Sequence, residues 1–91
     1  SNYPNPFNPE TWIPFELSQN SKVLVTIYDL AGTPVRTINM GHLQAGSYVN
    51  QSYAIYWDGK TDIGERVASG IYFYQIQMGD YIEIHKMVIL K

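Results

Sequence analysis

Ninety-one residues make room for one domain, which at this size buries only roughly 60–65% of the surface its unfolded chain exposes. Hydrophobic residues reach 45%, too many for a disordered chain. With no cysteine, a net charge of −2 and its Lys and Arg scattered singly, the chain lacks disulfides, thiolate chemistry and the clustered cations that bind nucleic acid or anionic membranes.

The apolar runs are a few residues long, far below a spanning helix. The sequence opens on neither a leader nor an initiator Met, and the chain is expected to be a piece of a larger protein. Residues 1–10 (SNYPNPFNPE) carry Pro4, Pro6 and Pro9. Each proline lacks an N–H and pushes its predecessor into extended geometry. This stretch is a linker or an ordered lead-in, and Tyr3 and Phe7 are its only apolar grips. The domain proper is expected over 11–91.

From Thr11 the period becomes two. Ile13, Phe15 and Leu17 point one way, and Pro14 within the run marks an edge strand or a bulge. After the SQNS turn, Lys22–Tyr28 alternates Val23, Val25 and Ile27 against Leu24, Thr26 and Tyr28, as a covered central strand does. Asp29–Gly32 is a turn and Pro34–Met40 a weaker strand, followed by a loop over Gly41–Gly46. Ser47–Gln51 is a short strand or part of a connection, and Ser52–Asp58 is a further strand through Tyr53, Ile55 and Trp57. A turn-rich segment follows, with Asp58-Gly59 and Gly64. Ile71–Gln77 and Tyr81–Leu90 close the chain as two strands around the Gly79 turn.

About seven short strands bounded by turn residues predict an antiparallel β-sandwich or barrel. Gly70-x-Tyr72-x-Tyr74 has the spacing of a tyrosine corner, and Trp57 supplies a core aromatic, which together point to an immunoglobulin-like sandwich. The expected core is Ile13, Phe15, Leu17, Val23, Val25, Ile27, Trp57, Tyr72, Tyr74, Ile76 and part of Met87–Leu90.

Little in the chain invites catalysis. There is no nucleophile elbow and no phosphate-binding glycine loop, and His42 and His85 stand outside any metal-spacing motif. No enzyme activity, cofactor or small-molecule substrate is expected. Asp58, Asp62 and Glu65 offer oxygen ligands for calcium, but Lys60 and the late Gly64 break the calcium-loop pattern, and a solvated turn in which Asp58 bonds its own backbone explains them better. Trp12, Tyr53, Tyr56 and Tyr81 form a sugar-stacking platform if exposed and ordinary sheet cover if not.

Several segments in order resemble one family. "NYPNPFNPET" precedes the Ile13-x-Phe15-x-Leu17 alternation, then come "VTIYDLAGTPVRTI", "YWDGKTDIGERVASGIYFYQIQMGD" and the basic-apolar-basic ending "HKMVILK". Together they resemble the C-terminal sorting domain of type IX secretion cargo proteins. Through "WDG" and "SGIYFY" the chain also resembles, more loosely, the immunoglobulin-like domain of flagellar hook-capping proteins. "SYVNQSYAIY" is longer than the usual family link, so a bulge or extended loop is expected there.

The resemblance implies a non-catalytic domain attached behind a cargo protein. It would be recognised by the outer-membrane secretion machinery and would reach the cell surface or medium after crossing the periplasm. Recognition would rest on the last strand, Lys86, Met87, Val88, Ile89, Leu90 and Lys91, with Tyr3 and Phe7 docking the cargo junction onto the sandwich. The alternatives are an accessory carbohydrate-binding module and a structural spacer of a secreted enzyme or appendage.

Overall fold

A computed structural model describes residues 1–90. Among them eight strands form: β1 (Thr11–Ile13), β2 (Phe15–Leu17), β3 (Ser21–Asp29), β4 (Pro34–Leu43), β5 (Gly46–Tyr48), β6 (Ile55–Trp57), β7 (Gly70–Met78) and β8 (Tyr81–Ile89). One layer is a four-stranded antiparallel sheet in the order β4-β3-β7-β8. The other is two short antiparallel pairs, β1 with β6 and β2 with β5. This is the all-β immunoglobulin-like sandwich that the alternation predicts.

Alternation alone gives seven strands. Eight form because Pro14 cannot donate to a ladder, so the run from Thr11 to Leu17 breaks there and changes partner. The weak strand from Pro34 runs on to Leu43, past its expected end. Gly41, at φ 71°, makes this possible: it lies where the β3–β4 register shifts, and its N–H donates to the Asn39 side chain at 2.9 Å. Conversely, Ser52–Ala54 alternate as a strand would but turn instead. The Asn50 side chain takes the Ser52 N–H at 3.0 Å, and the Asn50 carbonyl takes those of Tyr53 and Ala54. This is the extended link that the sequence leads one to expect.

The two layers press one apolar face each against the other. Val23, Val25 and Ile27 of β3, Tyr72, Tyr74 and Ile76 of β7, and Met87 and Ile89 of β8 meet Ile13, Phe15, Leu17, Ile55 and Trp57. Every expected core residue is buried. The tyrosine corner forms as well: the Tyr72 hydroxyl donates to the Ala68 carbonyl at 2.8 Å.

Residues 1–10 are integrated into this sandwich. Phe7 is 2% exposed and its ring packs 5.6 Å from that of Trp57. The Asn2 side chain is buried too, donating to Thr11 Oγ1 at 3.1 Å, and Thr11 Oγ1 donates in turn to the Pro4 carbonyl. Pro9 lies so close to Gly59 that a Cβ there would overlap the Pro9 carbonyl oxygen. Gly59 also sits at φ 76°, so only glycine suits both its conformation and its space.

Candidate functional site

The segment singled out for recognition ends β8, an edge strand of the four-stranded sheet. Its side chains alternate as pleating requires. Met87 and Ile89 enter the core, Val88 is half-buried, and Lys86 and Leu90 are exposed. Lys91 lies outside the described residues.

An edge strand with open backbone groups is a template for pairing with another chain. Here the last part of that edge is already taken. The Phe7 N–H donates to the Val88 carbonyl and the Leu90 N–H to the Phe7 carbonyl, both at 3.0 Å, in a parallel bridge. The Val88 N–H donates to the Asn5 side chain, also at 3.0 Å. Reading the sequence segment by segment leaves this edge free, because nothing local reveals that residues as far apart as Asn5 and Val88 will pair.

Tyr3 grips the opposite layer. Its backbone exchanges hydrogen bonds with Trp12 at 2.9 and 2.8 Å, its ring stacks on the Trp12 indole, and its hydroxyl donates to the Val49 carbonyl. The lead-in is therefore a clamp, with Tyr3 on β1 and Phe7 on β8. It ties the edges of the two layers together at the end where the chain closes.

The acidic turn serves a different purpose. Arg36 donates to Asp58 at 3.1 Å and to the Lys60 carbonyl at 3.0 Å, with Asp62 3.8 Å from its Nε. Asp62 also closes part of the β4 edge: its N–H donates to the Val35 carbonyl and its carboxylate accepts the Thr37 N–H. The guanidinium holds Asp58 and Asp62, two of the three carboxylates considered for calcium, while the third, Glu65, is exposed. Among the described residues no three acidic or histidine side chains converge as a metal site. Sequence spacing missed Arg36, because it arrives from a strand more than twenty residues upstream.

His42 is exposed on β4, whereas His85 lies half-buried, 2.9 Å from Glu83 and stacked on Tyr74. Burial pushes the Tyr74 phenol from 10.0 up to about 12, and the Glu83 carboxylate adds to the shift. A phenol held neutral by the fold binds its proton more tightly there than in the unfolded chain. Its contribution to stability is therefore complete below pH 10 and is lost as pH rises towards 12. The melting temperature should fall across that window, and a Tyr74→Phe variant should fall less steeply.

Of the aromatic residues considered for sugar binding, Tyr53 in the turn before β6, Tyr56 on β6 and Tyr81 on β8 are exposed. Trp12 is half-buried between Tyr3 and Tyr56, and the Tyr56 hydroxyl donates to Glu10 at 2.7 Å. The four do not form one platform.

Solved structures that resemble this fold include the following three. FlgD from P. aeruginosa is 29% identical with a TM-score of 0.66, over 87% of this chain and 58% of that one. Dimeric latent PorU from Porphyromonas gingivalis is 20% identical with a TM-score of 0.70, over 99% of this chain and 9% of that one. PorZ from the same organism, a surface component of its type IX secretion system, is 17% identical with a TM-score of 0.62, over 100% of this chain and 11% of that one. The chain thus spans less than two thirds of each. No curated protein matches it in sequence. The model of the FlgD Ig-like domain matches residues 7–80, from the clamp's Phe7 to the turn before β8. The chain belongs to the family of FlgD Ig-like domains.

Proposed function

We propose that this domain is a non-catalytic sorting module that carries an attached protein across a bacterial outer membrane by type IX secretion, with β8 as the strand presented to the machinery. One observation carries the reading: the clamp seats the N-terminal junction, where cargo would be attached, directly on the end of β8. Cargo attachment and the presented strand thereby meet in one place. The likeness to PorU and PorZ supports it. β8 lies beyond the family match at residues 7–80, yet those two structures align over 99% and 100% of the chain.

Fused behind a reporter enzyme in a bacterium with type IX machinery, the intact chain should bring the reporter to the surface or the medium. Removing His85–Lys91 should leave it in the periplasm. That deletion also strips Met87 and Ile89 from the core, so Lys86→Glu, at an exposed position, separates recognition from folding. It should lower export while leaving the melting curve in place. Export undiminished in both variants would refute the proposal.

A second reading is a structural spacer within an appendage, favoured by the family match and the 29% identity to FlgD. Retention of the reporter by the intact, folded chain would support the spacer over the sorting signal.

A further inference from the structure

The clamp covers only the end of β8. Val88 and Leu90 direct main-chain groups outward to Asn5 and Phe7. Strand alternation aims the N–H and C=O of Ile82, Ile84 and Lys86 the same way. β8 pairs with β7 alone, and among the described residues no segment takes up the outward groups of these three. Their surroundings are apolar and exposed: Ile82 is 49% and Ile84 63% accessible. The uncovered stretch runs from Tyr81 to Met87, and its midpoint is Ile84.

We propose that this stretch pairs with itself. The β8 strand of one copy meets the β8 strand of a second, antiparallel about a two-fold axis through Ile84, and joins two four-stranded sheets into one. Ile84 then faces Ile84 of the second copy, and Ile82 faces Lys86, whose aliphatic stem covers it. Each of the three outward residues exchanges both main-chain bonds with its opposite.

Charge selects this register. Glu83 faces His85 of the second copy in the closely spaced, non-hydrogen-bonded pairs, where side chains interact most strongly. Moving the axis one residue either way sets Glu83 against Glu83 or His85 against His85. Pairing also stops where the clamp begins: beyond Tyr81 opposite Met87 the next partner of Val88 would be a turn residue, Asp80, and Val88 is held by Asn5 and Phe7. The contact is smaller than the roughly 1,200 Å² at the lower end of stable interfaces, so the dimer is weak and concentration-dependent. It uses the same β8 edge, including Lys86, that the sorting reading presents to the machinery, so self-pairing and presentation compete for that edge, and each is read out separately, by mass and by export.

Sedimentation equilibrium of the chain should show the mass rising from one copy towards two with concentration. Glu83→Lys alone and His85→Glu alone should each weaken association by about tenfold, because the first removes the carboxylate that meets His85 of the second copy and the second sets Glu against Glu. Mixing the two variants should restore it, since Lys then faces Glu and His faces Glu. The chain has no native cysteine, so single cysteines report the register. Ile84→Cys should cross-link under mild oxidation, because paired Cα atoms about 5.5 Å apart suit a disulfide. Ile82→Cys, about 13 Å from its equivalent, should not. Circular dichroism of each variant checks folding. A strictly monomeric parent, equal cross-linking at both positions, or no rescue on mixing would overturn the proposal. A monomer would assign this edge to a strand from another protein.

Discussion

Replacing Phe7 with alanine should unfold the domain at moderate temperature, although Phe7 lies in a proline-rich stretch whose composition suits a linker as well as an ordered lead-in. Its ring is 2% exposed and packs against Trp57. Removing a buried phenylalanine costs about 3–5 kcal/mol, out of a total of about 5–15 for a domain of ordinary stability. At this size each kcal/mol moves the midpoint by about 4–8 °C, so the melting temperature should drop by more than about 10 °C. The effect reaches beyond packing, because Phe7 also holds the main chain of Val88 and Leu90. A melting curve identical to that of the parent would mean that residues 1–10 are merely a tether.

Trp57→Ala should be as severe. Trp57 is fully buried, its indole N–H donates to the Lys60 carbonyl at 2.9 Å, and its rings pack against Phe7 and Tyr72. The loss is again about 3–5 kcal/mol from the cavity, with roughly 1 kcal/mol more for the hydrogen bond. Cooperative urea unfolding should be lost or shifted to very low denaturant. Trp57→Phe keeps much of the ring volume and should cost distinctly less. Because Phe7 and Trp57 touch, the double variant should be less destabilised than the sum of the singles. Simple additivity would place the two side chains in separate environments.

Both residues illustrate what local pattern reveals and what it hides. Val23, Val25, Ile27, Tyr72, Tyr74 and Ile76 declare their burial through alternation, because strand pleating is a property of neighbouring residues. The tyrosine corner was legible for the same reason: Tyr72 reaches only four residues back. Pairing across the chain has no such signature. Tyr3 and Phe7 were visible as apolar grips, but nothing in SNYPNPFNPE says that one grasps β1 and the other β8. Asn5, Asn2 and Thr11 were missed because their roles depend on partners brought close only by the fold. The hydrophobic residue in VASG also gave no sign that Val67 would be buried.

Gly41 and Asn50 mark the opposite errors. A glycine reads as the end of a strand, yet Gly41 sits inside one, accommodating the shifted register against β3. An alternating SYA reads as a strand, yet Asn50 bends it into a turn by accepting three N–H groups. In both cases one residue able to take a special conformation or bond its own backbone outweighed the hydrophobic period. The candidate site was half legible. Burial of Met87 and Ile89 follows from the terminal alternation, whereas the division of the β8 edge into a clamped end and an open middle depends on contacts with Asn5 and Phe7.

Amide hydrogen exchange resolved by residue, in dilute solution where copies stay apart, tests the clamp most directly. The N–H groups of Phe7, Val88 and Leu90 should be protected nearly as well as those of the β3–β7 ladder, while those of Ile82, Ile84 and Lys86 exchange rapidly. Fast exchange at Phe7, Val88 and Leu90, matching the open half of the strand, would show that the proline-rich segment does not hold the sandwich closed.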